Sequence, residues 1–130
     1  MNFMYEVKTT KSFQAATEAL IEKLKEREFG VLYQVNFKEK IKSKGLDFPT
    51  NFEVLEVCNP KQAKEVLEKR IEVGYFLPCK VVVYEKEADV YIGILKPTVL
   101  IDFIKDDNLT MIAREVESTL KEVVDAAKQI

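Results

Sequence analysis

The chain contains no histidine and no tryptophan. Without imidazole there is no Ser-His-Asp or Cys-His nucleophile pair, no His-ligated zinc and no imidazole switch near neutral pH. Glycine is scarce, and Gly30, Gly45, Gly74 and Gly93 lie far apart, so no glycine-rich loop is present to cradle a phosphate. No run approaches the ~20 apolar residues that span a bilayer. The opening Met1-Asn2-Phe3-Met4-Tyr5-Glu6-Val7 lacks a basic segment followed by a long apolar one, so it does not read as a signal peptide. Neither sign of charge dominates: 20 basic residues face 22 acidic ones, for a net charge of -2. Nucleic-acid binding needs a concentrated basic face. The one basic run, Lys38, Lys40, Lys42 and Lys44, is interrupted by Glu39 and reads as a solvated segment. These absences predict a cytoplasmic protein with no nucleic-acid partner and no membrane attachment. The abundance of Lys and Glu over Asn and Gln is a weak thermophile signature.

What is present is enough for one domain. A chain of 130 residues buries roughly two-thirds of the surface its unfolded form exposes, so it builds a core without metal or disulfide. Hydrophobic residues make up 47% and charged residues 32%, the balance of a soluble globular chain. Residues 3–7 and 31–37 alternate as strands. In the second, Val31, Tyr33, Val35 and Phe37 are expected on one face, with Gln34 and Asn36 on the other. Phe13, Ala16, Leu20 and Leu24 form the stripe of a helix over 12–28, with Gly30 as the expected left-handed residue after it. The segment 38–51 reads as a charged loop with a helical start around Ile41. Residues 52–58 form a third strand.

Asn59 then caps a helix that fades near Arg70, and Pro60 takes its first turn, where a missing N–H costs nothing. After a connection over 71–78, residues 80–85 and 90–95 form a hairpin about the polar turn 86–89. A short apolar stretch follows at 99–104. Asp102, Asp106 and Asp107 suit capping of the last helix, which starts at Asp107 or Asn108 and runs to the chain end. There Leu109, Ile112, Ala113, Val116, Leu120, Val123, Val124 and Ala127 recur at three- and four-residue steps, the strongest helical signal in the chain. Strand, helix, strand, strand, helix, strand, strand, helix is the resulting order. Helices with single apolar stripes need a sheet to lie on, so the fold class is α+β: a two-layer sandwich with a mostly antiparallel sheet and helices on one face.

The two cysteines, Cys58 and Cys79, each adjoin a proline motif: Cys58-Asn59-Pro60 and Leu77-Pro78-Cys79. In a cytosolic chain two cysteines are expected to be reduced. A thiol just before a helix N-terminus sees the positive end of the backbone dipole, which favours thiolate. Equally, Cys58 ends a strand as a small buried hydrophobe, and Cys79 packs beside Val81 and Val83. An extended connection of eight residues reaches ~26 Å, so the chain can return from the far end of the intervening helix and set the two thiols side by side. The expectation is that Asn59, Pro60, Leu77 and Pro78 bring both to one edge of the sheet. Two adjoining thiolates bind a soft cation such as Cu(I) or cycle between dithiol and disulfide.

Several segments together resemble the uncharacterised family called domain of unknown function 302. They are Glu28-Phe29-Gly30-Val31-Leu32, Gly45-Leu46-Asp47-Phe48, Cys58-Asn59-Pro60 and Leu77-Pro78-Cys79-Lys80-Val81-Val82-Val83-Tyr84-Glu85. The strand order is similar too, and the resemblance runs from about residue 9 to the last helix. It implies a small prokaryotic α/β sandwich, dimeric in some members, and assigns no activity. Pro97 resembles the proline that closes the family's hairpin. Lys96 stands before it where the resemblance implies an acid in many relatives, so an activity that needed this acid would be missing here.

Two functional readings follow. The favoured one is a non-enzymatic module, acting as a homodimer, that binds a small molecule or protein in a groove formed by Cys58, Asn59, Pro60, Leu77, Pro78 and Cys79. The chain has little of the acid–base inventory common in catalysts, and nothing in it requires a cofactor. The alternative is a thiol-dependent protein that uses Cys58 and Cys79 for soft-metal binding or redox exchange.

Overall fold

A five-stranded, wholly antiparallel sheet in the order β1-β5-β4-β3-β2 carries the structure, a computed structural model that describes residues 2–129. The strands are β1 Met4–Thr9, β2 Gly30–Asn36, β3 Phe52–Cys58, β4 Cys79–Lys86 and β5 Asp89–Leu95. The helices are α1 Phe13–Glu26, α2 Phe37–Ser43, α3 Pro60–Lys69, α4 Pro97–Ile101 and α5 Asp107–Lys128, and a 3-10 helix, Ile71–Phe76, leads into β4. The fold is α+β. The expected run of the last helix to the chain end stops at Lys128, and Ile130 lies outside the described residues.

One face of the sheet makes the core. Leu55 and Val57, Val81 and Val83, and Ile92 and Ile94 alternate onto it, and all are buried. α5 and α1 lie across this face, and the α5 stripe of Leu109, Ile112, Val116, Leu120 and Val123 is buried along its whole length. α1 adds Ala16, Leu20 and Leu24, each fully buried. Ser12 and Asp106 cap the two helices, each accepting a backbone N–H. The opposite face has no helical layer of this kind. A row of rings crosses it: Phe37 on Phe52, Phe52 on Tyr84 and Tyr84 on Tyr91, at centroid distances of 5.8, 5.1 and 5.3 Å. The Tyr84 hydroxyl donates to Glu6 Oε1 at 2.6 Å. Glu6 pairs with Gly93 on β5, where a Cβ would lie 3.0 Å from the Glu6 Cβ, so a side chain at 93 would require β1 to give by a few tenths of an ångström.

The structure departs from the sequence reading in three places. Strand β2 is an edge strand with a register shift between Val31 and Tyr33. The extra residue, Leu32, flips the alternation. Val31 therefore opposes Val57 on the helix side, while Tyr33 and Val35 oppose Glu56 and Val54 on the other. The four residues expected on one face do not share it, Tyr33 is 53% exposed, and Phe37 belongs to α2. Next, Glu28 rather than Gly30 takes the left-handed position after α1, with φ 64°. The chain turns there because Phe29 N–H reaches back to the Leu24 carbonyl at 2.9 Å. Lastly, the apolar stretch after Pro97 is a short helix, α4. Its flanking residue, Lys96, offers no side-chain cap. The buried Glu117 of α5 supplies one instead, accepting from Thr98 N at 3.1 Å and Thr98 Oγ1 at 2.6 Å. Burial pushes the Glu117 carboxyl up, but the Thr98 bonds and Lys121 outweigh it and hold it below its ordinary value.

Leu120 is fully buried in the α5 stripe. Leu120→Ala is expected to lower unfolding free energy by about 2–5 kcal/mol, read by urea denaturation. Met111→Ala, at a residue 67% exposed on the same helix, should change it by less than about 0.5 kcal/mol. Equal effects at the two positions would refute this packing.

Candidate functional site

The two proline motifs converge where β3 ends and β4 begins. Val57 opposes Cys79 in the ladder, and Cys58 lies one residue beyond. β3 and β4 are inner strands, so the thiols sit at the end of two central strands and not at an edge of the sheet. Asn59 caps α3: its side-chain oxygen accepts from Lys61 N at 3.1 Å and Gln62 N at 3.2 Å. Pro60 is the first residue of the helix. The 3-10 helix then carries the chain back to Leu77 and Pro78, whose peptide bond is cis.

These segments wall a cavity of about 360 Å³. One wall is the ends of β3 and β4, a second is α3 with Ala63 and Val66, and a third is the 3-10 helix with Val73 and Phe76. α4 and the first half of α5, through Ile101, Leu109 and Ile112, close the rest. Cys58, Asn59, Leu77, Pro78 and Cys79 all border the cavity; Pro60 does not. The volume falls at the lower end of the range for small-molecule pockets, which are mostly apolar with a few placed polar groups.

The polar inventory is short. Glu56 and Lys80 are the only charged residues on the cavity wall among those described, and they pair with each other at 2.7 Å. The Asn59 oxygen already serves two backbone donors. Gln62, on the first turns of α3, also lines the cavity, and its Oε1 is sealed from solvent with no hydrogen-bond partner. A buried acceptor left unpaired costs about 1–3 kcal/mol. Tyr75, 90% exposed, stands at the rim.

The surroundings of both thiols disfavour the thiolate. Burial pushes the Cys58 thiol above its ordinary value. Burial first, then the neighbouring Cys58, push Cys79 up to about 11. This corrects the expectation that the helix N-terminus would favour ionisation. The first N–H groups of α3 are already engaged by Asn59, and desolvation then decides the balance. Neither cysteine forms a disulfide.

Sequence reasoning missed Gln62, Tyr75 and the wall built by α4 and α5. Gln62 carries a readable signal. It lies four residues before the buried Val66, on the stripe that α3 turns inward, where a polar side chain is out of place. The α4 and α5 residues bore no signal beyond that of core formers.

The family model described as Domain of unknown function DUF302 matches residues 5–127. A solved structure, that of an uncharacterized conserved DUF302 protein from Bacillus stearothermophilus, is 42% identical. The alignment covers 98% of this chain and 99% of that one, with a TM-score of 0.94. No protein with a curated description matches. Spanning nearly the whole length and agreeing in both sequence and fold, these similarities make the chain a member of the DUF302 family.

Proposed function

We propose that the protein is a non-enzymatic small-ligand-binding module that acts as a homodimer in the cytoplasm, with its ligand in the cavity between the β3–β4 end and helices α3, α4 and α5. The observation that carries this reading is the cavity itself: about 360 Å³ of space left open beside an otherwise closely packed core. The space opens to solvent at the Tyr75 rim and is large enough to admit a small molecule. Its walls are apolar and carry no unpaired charge among the described residues, so they favour binding by burial of apolar surface over acid–base chemistry.

Homodimer formation rests on the sheet face opposite α1 and α5. Tyr33 and Phe37 are exposed there, and half-buried Phe52, Tyr84 and Tyr91 continue the row of rings between the ion pairs Lys8–Asp89 and Lys80–Glu56; exposed aromatics so placed suit an interaction surface. A second copy presents the same patch and can cover it around a two-fold axis.

The thiol-dependent alternative has less support. Metal binding and exchange use the thiolate, and burial holds both Cys58 and Cys79 in the protonated form at neutral pH.

Four measurements test these readings. The neutral fluorophore N-phenyl-1-naphthylamine should bind with micromolar affinity, and Ala63→Phe, which fills the cavity from α3, should weaken that binding at least tenfold while circular dichroism stays unchanged. No binding to the wild-type protein, or equal binding to the variant, refutes the cavity as the ligand site. Sedimentation at micromolar concentration should give particles of twice the 15.0 kDa chain mass; a 15.0 kDa species alone refutes the dimer. At pH 7 both thiols should react with maleimide more slowly than an exposed cysteine. The folded state holds the Cys79 proton more tightly than the unfolded state, so its contribution to stability is complete below pH 9 and falls away as pH rises towards about 11. Cys79→Ala should remove that part of the alkaline loss in urea melts. Fast maleimide labelling of either thiol at pH 7 would favour the thiol-dependent alternative.

A further inference from the structure

We propose that the cavity selects neutral, largely apolar molecules that carry an N–H or O–H donor, and that Gln62 is the residue that reads the donor. The inference deepens the ligand-binding reading above and rests on it. Neutrality follows from the walls. The two charged residues that border the cavity satisfy each other, so an ionic ligand would be desolvated without a counter-charge. Apolar bulk follows from Val66, Val73, Ile101 and Ile112, which offer no hydrogen bond.

The donor follows from Gln62. Its backbone N–H is spent on the Asn59 cap, which anchors the residue at the start of α3. Its side-chain oxygen is buried and unpaired. Native structures leave few such atoms, and each calls for an account. Within the described structure nothing completes it: no side chain or backbone group bonds to that oxygen. The last torsion of a glutamine side chain is soft, so the amide can turn its oxygen towards the cavity at little cost. A ligand N–H or O–H that meets the oxygen there replaces the water it would otherwise bond. An isosteric ligand without the donor displaces that water and leaves the oxygen unpaired against apolar surface, and this asymmetry is what produces selectivity.

Indole and benzothiophene have nearly the same shape and differ in the donor. The chain has no tryptophan, so indole fluorescence anisotropy reports binding without background; benzothiophene is followed by displacement of N-phenyl-1-naphthylamine. The ratio of indole to benzothiophene affinity is compared between the wild-type protein and Gln62→Met. The proposal expects the ratio to fall about tenfold in the variant, through weaker indole binding. Should Gln62→Met not fold, Gln62→Leu carries the same comparison. In the wild-type protein, the Gln62 side-chain amide resonances should shift with indole and stay in place with benzothiophene. If both molecules bind but the ratio is the same in wild type and variant, or if only benzothiophene moves the Gln62 amide, the donor selectivity is wrong and the cavity reading stands. If neither indole, benzothiophene nor N-phenyl-1-naphthylamine binds the wild-type protein, the cavity reading falls and takes this inference with it.

Discussion

Everything in this molecule depends on one sheet face being covered and the other left bare. The α5 stripe from Leu109 to Val123 is too long and too apolar to face water, and the inward residues of β3, β4 and β5 meet it with branched aliphatic side chains. Burial at about 25 cal/mol per Å² of apolar surface drives that contact, and the strictly antiparallel register keeps it in phase along every inner strand. Because the strands alternate, burying one face decides what the other presents. Phe52, Tyr84 and Tyr91 stack with each other there instead of entering the core.

The cavity is a consequence of the same layer running out. At the end where β3 hands over to α3 and β4 begins, the chain leaves the sheet and returns through a 3-10 helix. The helices that fill the layer elsewhere arrive there from four separate segments, and they line a space without filling it. The Glu117 bond to Thr98 matters for this reason. It ties α4 to α5 from a position where α4 has no cap of its own, so one wall of the cavity is held by a side chain from another wall. Burial then governs the chemistry of what borders that space. It raises both thiols and isolates the Gln62 oxygen, producing a site whose polar groups are neutral and few.

Much of the fold was legible because it is written in local patterns. The α5 periodicity, the β3 strand, the 86–89 hairpin turn and the Asn59–Pro60 helix start are each decided by residues within a few positions of one another. β2 misled because a bulge at Leu32 is set by pairing with β3, and no alternation within the strand announces it. Gly30 misled because a left-handed position is an attractive place for glycine, yet Glu28 holds it through the backbone bond from Phe29 to Leu24. The proline motifs pointed to the right end of the sheet, but a sequence displays the helix N-terminus and not the burial that raises both thiols.

The sequence by itself determined the class of the fold, the order of its strands and three longest helices and the family, and it brought Cys58 and Cys79 to notice through the prolines beside them. These are properties of short-range pattern, and hydrophobic period and capping chemistry act over a turn or two. Only the tertiary structure decided that five of the six marked residues border one cavity, that Gln62 joins them, and that α4 and α5 close the space. Those facts come from several separate segments of the chain meeting across a shared core. Desolvation, the force that sets the ionisation of Cys79 and leaves Gln62 Oε1 unpaired, exists only once those surfaces have met.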